Sequence, residues 1–125
     1  MDNQEKLEKG VGDKEPKKLE AGKVQIVGVR IEHIEKAKSD KVIFIIKHPD
    51  QDDTIEISSA KTQLKDKLKT YGLWYKEDED GKIQKGSTLA VLMGYLGIET
   101  LKECEGKEAD TISEEDGYLV LRAYK

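Results

Sequence analysis

Basic and aromatic side chains are concentrated between residues 61 and 76, and their types suggest a binding role. The stretch contains three of the seven aromatic side chains of the chain, including the only tryptophan. Lysines can contact the phosphates of a nucleic acid, and flat rings can stack on unpaired bases, at roughly 1–3 kcal/mol per stacked base. The candidate binding residues are Lys61, Lys65, Lys67, Lys69, Tyr71, Trp74, Tyr75 and Lys76.

The same stretch also has a purely structural interpretation. Tyr71 would complete the apolar face of a helix, Trp74 would close one end of the core, and the lysines would form a solvated face. The acidic run 77–80, which follows directly, weakens the local positive potential. The sequence leaves both interpretations open.

The end of the chain provides a second candidate surface. Tyr118, Arg122 and Tyr124 recur at spacings of four and two, so they share one face of a predicted strand. If that face points outward, it is a stacking platform with a cation. If it lies under a helix, it is ordinary core packing, and the sequence does not choose between the two.

No arrangement of residues predicts catalysis, a metal or a cofactor. The acidic stretch near Asp80 resembles a calcium loop, but Lys76 stands at its first ligand position and Ser87 at its twelfth. His48 lies among aspartates, and His33 on a predicted strand could approach it across a sheet, yet zinc usually needs several nitrogen or sulfur ligands. Phosphate-loop, dinucleotide and nucleophile-elbow motifs are not found. We therefore predict that the protein is not an enzyme.

Composition limits the kind of nucleic-acid recognition that is possible. The chain of 125 residues has a net charge of −4, with 38% charged residues. Arg30 and Arg122 are the only arginines, and bidentate reading of bases depends mostly on arginine. We therefore expect contacts to the backbone and stacking, with little sequence preference. The Lys/Glu-rich composition is typical of thermophilic proteins.

The chain contains one cysteine and no evident export or membrane signal. Cys104 has no second cysteine with which to form an intramolecular disulfide, and it is interpreted as a half-buried structural thiol. The N-terminus is polar, without a signal peptide or a membrane span. The prediction is a soluble cytoplasmic protein.

The elements that must position these residues begin with three strand-like runs. Residues 1–22 are polar and predicted to be a disordered tail. Lys23–Glu35 predicts a long strand that bends sharply or bulges at Gly28, Val42–Ile46 a buried strand, and Thr54–Ser58 an alternating strand.

An insert over residues 59–86 follows the third strand. The spacing of its apolar residues favours a short helix from Ser59 to Gly72, although a strand is the competing interpretation. Asp80-Gly81 predicts the tip of a protruding hairpin. A helix then runs from a cap at Ser87 or Thr88 to Gly97, with Gly94 in close packing, and a further helical turn precedes two closing strands at 109–112 and 118–124.

This order predicts a mainly β fold with short helices (α+β). Residues 23–125 are expected to form one OB-like domain, a five-stranded barrel of order β-β-β-(insert)-α-β-β. The long first strand and the ending LAVLMGYLGIETLKECEGKE followed by GYLVLRAY resemble the small OB-fold single-stranded DNA-binding proteins of phage and archaeal mobile elements. The resemblance implies a concave strand surface for single strands, without catalysis.

The leading functional hypothesis is a non-catalytic module that binds single-stranded nucleic acid. The alternative is a protein–protein interaction module, or an accessory or structural protein with no nucleic-acid role. Such a protein would pair through an exposed strand edge or through the helix at 87–96. Its oligomeric state is left open.

Overall fold

The computed structural model describes residues 19–64, 66–114 and 117–124, and shows a mainly β fold with one α-helix. Most of the predicted tail, residues 1–18, lies outside the described residues. No helix in the described part of the chain is long and apolar enough to cross a membrane. The elements are β1 (Lys23–Ile34), β2 (Ser39–Lys47), β3 (Thr54–Ile57), β4 (Ser59–Leu64), β5 (Lys67–Gly72), β6 (Trp74–Tyr75), α1 (Thr88–Leu96), a 3-10 turn (Leu101–Cys104), β7 (Glu108–Ser113) and β8 (Leu119–Arg122).

The five predicted strands are present, but the strand count of five is wrong because the insert contributes three more. The predicted helix from Ser59 to Gly72 is also wrong, since β4 and β5 form an antiparallel hairpin there. β4 lies between β5 and β8, so its backbone groups are paired on both sides. This tertiary pairing overrides the helical spacing of the apolar residues.

The strands form one sheet of order β3-β2-β1-β7-β8-β4-β5, and β6 pairs with β2 outside this path. All pairs are antiparallel except β4 with β8. Within the described ranges, the end strands β3 and β5 do not pair with each other. Only Ser58 separates β3 from β4 along the chain.

Leu73 connects three segments of this sheet through its backbone. Its N–H donates to the carbonyl of Ser58 at 2.9 Å, and its own carbonyl accepts from the N–H of Val42 at 2.8 Å. The side chain of Leu73 is fully buried in the core. This single residue therefore links β2, the β3–β4 junction and the β5–β6 segment.

The first strand bulges where the sequence predicts. The register of β1 on β2 slips by one residue between Ile26 and Gly28. Before the bulge, Lys23–Gln25 pairs with β7. β1 therefore has neighbours on both sides near its start.

The helix α1 has the predicted caps. The Oγ of Ser87 accepts the N–H of Ala90 at 3.1 Å, and Gly97 has a left-handed φ of 74°. Leu89 and Leu92 are buried in the core. The expected close packing at Gly94 is wrong, because a side chain there would meet nothing within 4 Å.

The core lies between the inner face of the sheet, α1 and the 3-10 turn. Its largest fully buried side chains include those of Phe44, Leu73, Leu89 and Leu121. Cys104 is also fully buried. Burial, with a smaller effect of the Glu105 carboxylate, raises the pKa of the Cys104 thiol and so keeps it in its unreactive protonated form.

The domain holds a few residues that the sequence assigned to the tail. The carbonyl of Glu20 lies 2.8 Å from Nε2 of His48, a buried residue whose Nδ1 accepts the N–H of Asp50. Gly22 and Thr111 exchange hydrogen bonds at 2.8–2.9 Å. The part of the chain that is hydrogen-bonded to the domain therefore begins before Lys23.

On the outer face of the sheet, Arg30 forms a bidentate ion pair with Glu56, at 2.8 and 2.7 Å. The hydrogen bonds from Arg30 lower the pKa of Glu56 below its usual 4.5. A carboxyl group whose pKa is lower in the folded protein than in the unfolded chain stabilises the fold at pH values above its pKa in the unfolded chain. That contribution is lost as the pH falls through the folded pKa.

We expect Glu56→Gln to lower the melting temperature at neutral pH, and this difference from the wild type to disappear in acid. The measurement is a series of thermal melts between neutral pH and a pH below the lowered pKa of Glu56. Residues 76–84 form a short hairpin in which Glu77 pairs with Ile83. Glu79→Gln, at an exposed carboxylate of this 76–84 hairpin, is the control and should show no such trend. If the difference in melting temperature between Glu56→Gln and the wild type did not depend on pH, the ionised carboxylate of Glu56 would not be the source of the stabilisation.

Candidate nucleic-acid interface

The β4–β5 hairpin has an inner and an outer face. Residues directly opposite each other in an antiparallel pair share a face, and successive residues alternate between faces. Ala60 opposes Tyr71 and is buried in the core, so Tyr71 points to the inner side. Lys61 opposes Thr70, and both point outward.

This alternation separates the residues that the sequence placed in one cluster. Lys67, Lys69 and Tyr71 lie on the inner side of the hairpin, where it extends beyond the core and leaves them exposed. Lys61 lies on the outer side and is half-buried, and Lys76 is exposed after β6. Lys65 falls outside the described residues.

Tyr75 belongs to the core more than to a binding surface. Its ring packs against the core cluster, and its hydroxyl donates to Oε1 of Glu77 at 2.8 Å. This hydrogen bond to a carboxylate is the main reason why the pKa of Tyr75 is raised. With both its ring and its hydroxyl engaged, Tyr75 is poorly placed to stack on a base.

Trp74 lies on the outer face of the sheet. It opposes Lys41, which is next to the buried Val42 and therefore points outward. Nζ of Lys41 lies 5.0 Å from the centre of the indole ring. A side chain at Gly72 would bring its Cβ within 3.0 Å of the indole Nε1, so glycine leaves room for the ring.

The second predicted surface also faces outward. Leu121 and Ala123 are buried in the core, so Arg122 between them points away from it. Its guanidinium carbon lies 4.9 Å from the centre of the Tyr124 ring. Nε of Arg122 is buried and has no hydrogen-bond partner among the described residues. Tyr118, the third member, is largely exposed at the start of β8.

The two surfaces meet because β4 and β8 are parallel neighbours. Lys61 pairs with Arg122 across this ladder, β5 lies on the other side of β4, and β6 continues from β5. We call the combined set the outer surface. It consists of Lys41, Trp74, Lys61, Arg122 and Tyr124.

Glu114, in the β7–β8 connection, borders the outer surface and partly neutralises it. Its Oε2 lies 3.8 Å from Nζ of Lys61, and its Oε1 accepts from the hydroxyl of Thr70. The side chains of Lys61 and Glu114 are each about one-quarter exposed, at 23% and 24%. This contact holds the β7–β8 connection against the β4–β5 hairpin.

The comparisons with protein-family models, with curated proteins and with solved structures gave no match. What the outer surface can do therefore follows from its own chemistry. Two aromatic rings, each beside a cation, and a further lysine can stack with flat groups and attract anions.

Other candidate sites are not supported by the geometry. His33 opposes Asp40 at one end of the β1–β2 ladder, whereas His48 follows its other end, so the two histidines do not meet. No group of metal-binding side chains occurs in the described part of the chain. Oδ1 of Asp78 accepts the N–H groups of Asp80 and Lys82, so this carboxylate shapes the hairpin tip.

Lys41 was not recognised in the sequence as a candidate. The continuous apolar run VIFII, in which Val42 and Ile43 are both buried, does not reveal which face Lys41 occupies, so Lys41 is identified only through its pairing with Trp74. No local sequence pattern predicts the parallel pairing of β4 and β8 either. That pairing alone brings Lys61 beside Arg122.

Proposed function

We propose that the protein is an OB-type module that binds single-stranded nucleic acid through the outer surface, with little sequence preference. The order of the sheet supports the OB assignment. β3 stands at one end of the sheet path and β4 near the other, yet Ser58 alone separates them in the chain. The segments β1, β2, β3 with β4, β8 and β7 thus have the neighbour order of an OB barrel, although within the described residues no strand pairing closes the sheet between β3 and β4.

The position of the outer surface supports the binding proposal. OB folds bind oligonucleotides on the face of their second and third strands, between the loops that join strands 1–2 and 4–5. In this chain those strands are β2 and β3–β4, which carry Lys41 and Lys61. The corresponding loops hold Lys36 and Lys38 at one side and Glu114 at the other.

The observation that carries the proposal is the pair of ring–cation contacts, Lys41 with Trp74 and Arg122 with Tyr124. Each ring can stack with an unpaired base, while the neighbouring cation attracts a phosphate. A base can also stack on the guanidinium plane that Tyr124 supports. Such contacts depend on flat faces and charge, so they recognise single strands without selecting a base sequence.

The charges of the outer surface predict weak and salt-sensitive binding. Arg30 is engaged with Glu56, so Arg122 is the arginine available for a ligand on this surface. The three outer cations would neutralise up to three phosphates. Binding to a single strand should then fall with a slope of about −2 in log K against log salt, from roughly 0.7 per phosphate.

Titration with oligothymidine at low salt tests the proposal, with Trp74 as the probe. We expect the tryptophan fluorescence to be quenched, and the quenching to weaken along the predicted slope as salt is added. A duplex of equal length is the control and should quench less, because its bases are already stacked. If neither tryptophan fluorescence nor the anisotropy of a labelled oligonucleotide changes, the proposal is wrong.

A further inference from the structure

Among the residues that the structure describes, no strand pairs with one edge of the second half of β1, which we call its free edge. Beyond the bulge, residues 28–34 pair with β2 on one side, whereas β7 pairs only with Lys23–Gln25. Within the described part of the chain, no strand pairs with the other side of residues 28–34. Ile31 lies in this segment and its side chain is 49% exposed. An unpaired edge with an exposed apolar side chain is a template for a further strand.

The hydrogen bonds of β2 identify which backbone groups of β1 face this edge. Val42 opposes Ile31, and its N–H is directed to Leu73, away from β1. In an antiparallel ladder, such a pair is a non-hydrogen-bonded pair, so the N–H and C=O of Ile31 also point away from β2. By alternation, Val29 and His33 present their backbone groups to the free edge in the same way.

We propose that two copies of the chain associate by antiparallel pairing of their β1 edges about a two-fold axis at Ile31. In this register, Ile31 faces Ile31 of the second copy and exchanges two backbone hydrogen bonds with it. Val29 faces His33 of the second copy in the next hydrogen-bonded pair. The same surface is used by both copies, as in an isologous dimer.

Charge complementarity selects a second copy as the occupant. In the proposed register, Arg30 of each copy lies opposite Glu32 of the other, at a non-hydrogen-bonded position where side chains approach closely. The two side chains are 42% and 52% exposed, and they contact each other within each copy, where Nη2 of Arg30 lies 3.4 Å from Oε2 of Glu32. Glu56 accepts the two shorter hydrogen bonds of Arg30, so pairing exchanges only the longer contact of Arg30 with its own Glu32 for a contact with Glu32 of the second copy.

The side chain of Ile31 gives the pairing an apolar component. It lines a groove of about 850 Å³ between the 76–84 hairpin, α1 and the 3-10 turn. Much of the groove wall is apolar, including Tyr75, Ile83, Met93 and Leu101. Pairing places Ile31 of the second copy beside this groove, where it removes apolar surface of both copies from water.

Two charge variants test both the dimer and its register. Arg30→Glu places two glutamates opposite each other in a homodimer, and Glu32→Arg places two arginines there, so each variant alone should be monomeric. A mixture restores opposite charges at both positions and should form a heterodimer. Sedimentation velocity without nucleic acid should show the wild type and the mixture as dimers, with each single variant dissociating at least about tenfold more readily.

Ile31→Pro removes the central N–H that faces the second copy, but no hydrogen bond within the fold. We expect this variant to keep the wild-type circular dichroism spectrum and to be monomeric. Glu79→Arg makes the same charge change as Glu32→Arg on the exposed hairpin, and should leave the dimer intact. A wild type that is monomeric at its highest soluble concentration overturns the proposal, as does a dimer that survives both Glu32→Arg and Ile31→Pro.

Discussion

Replacing Leu73 by alanine is expected to lower the free energy of unfolding by about 2–5 kcal/mol, the usual cost of truncating a buried leucine. The side chain of Leu73 is fully buried, and its backbone links β2 to the junction of β3 and β4. A cavity at this position weakens the contacts of several segments together. We expect an effect near the upper end of this range.

Urea denaturation followed by circular dichroism measures this prediction. Leu68→Ala is the matched control, because Leu68 lies in the preceding strand and its side chain is 44% exposed. Loss of an exposed leucine should change the free energy of unfolding by at most about 0.5 kcal/mol. Equal losses for the two variants would mean that the side chain of Leu73 does not stabilise the core as described.

Replacing Trp74 by alanine is expected to weaken the binding of oligothymidine by roughly 5- to 150-fold, equivalent to the loss of about 1–3 kcal/mol of stacking on one base. The indole lies on the outer face beside Lys41. Fluorescence anisotropy of a labelled oligonucleotide measures the change, since the variant has no tryptophan of its own. Thermal melts establish that the variant is folded at the temperature of the assay.

Tyr71→Ala is the control for this experiment. Tyr71 is close to Trp74 in sequence and its side chain is 38% exposed, but it lies on the inner side of the hairpin. We expect its loss to leave the affinity unchanged. The reverse result, with binding lost in Tyr71→Ala and retained in Trp74→Ala, would place the interface on the inner side with Lys67 and Lys69.

Much of the fold could be predicted from local patterns. The three N-terminal strands and the bulge at Gly28 followed from apolar runs, continuous in β2 and alternating in β3, and from the position of a glycine. The caps at Ser87 and Gly97 followed from residue types that satisfy or tolerate helix ends. These features depend on residues that are near one another in the chain.

The hairpin of β4 and β5 could not be predicted in this way. Leu64, Leu68 and Tyr71 have helical spacing, but β4 is held by β8, which lies far away in the sequence. Strand pairing also decides which faces Tyr71 and Trp74 occupy, because Tyr71 opposes Ala60 and Trp74 opposes Lys41. Sequence patterns identified most of the aromatic and basic residues of the outer surface but placed them in two unrelated groups, because long-range register leaves no local signature.

The position of β8 has a consequence for synthesis of the chain. β8 is the last strand in sequence, yet it lies between β7 and β4 and pairs with both. A nascent chain that has not released residues 119–122 from the ribosome leaves one edge of β7 and one edge of β4 unpaired. The complete sheet can therefore form only after translation has passed these residues. Until then, the earlier strands keep unpaired edges that chaperones can bind.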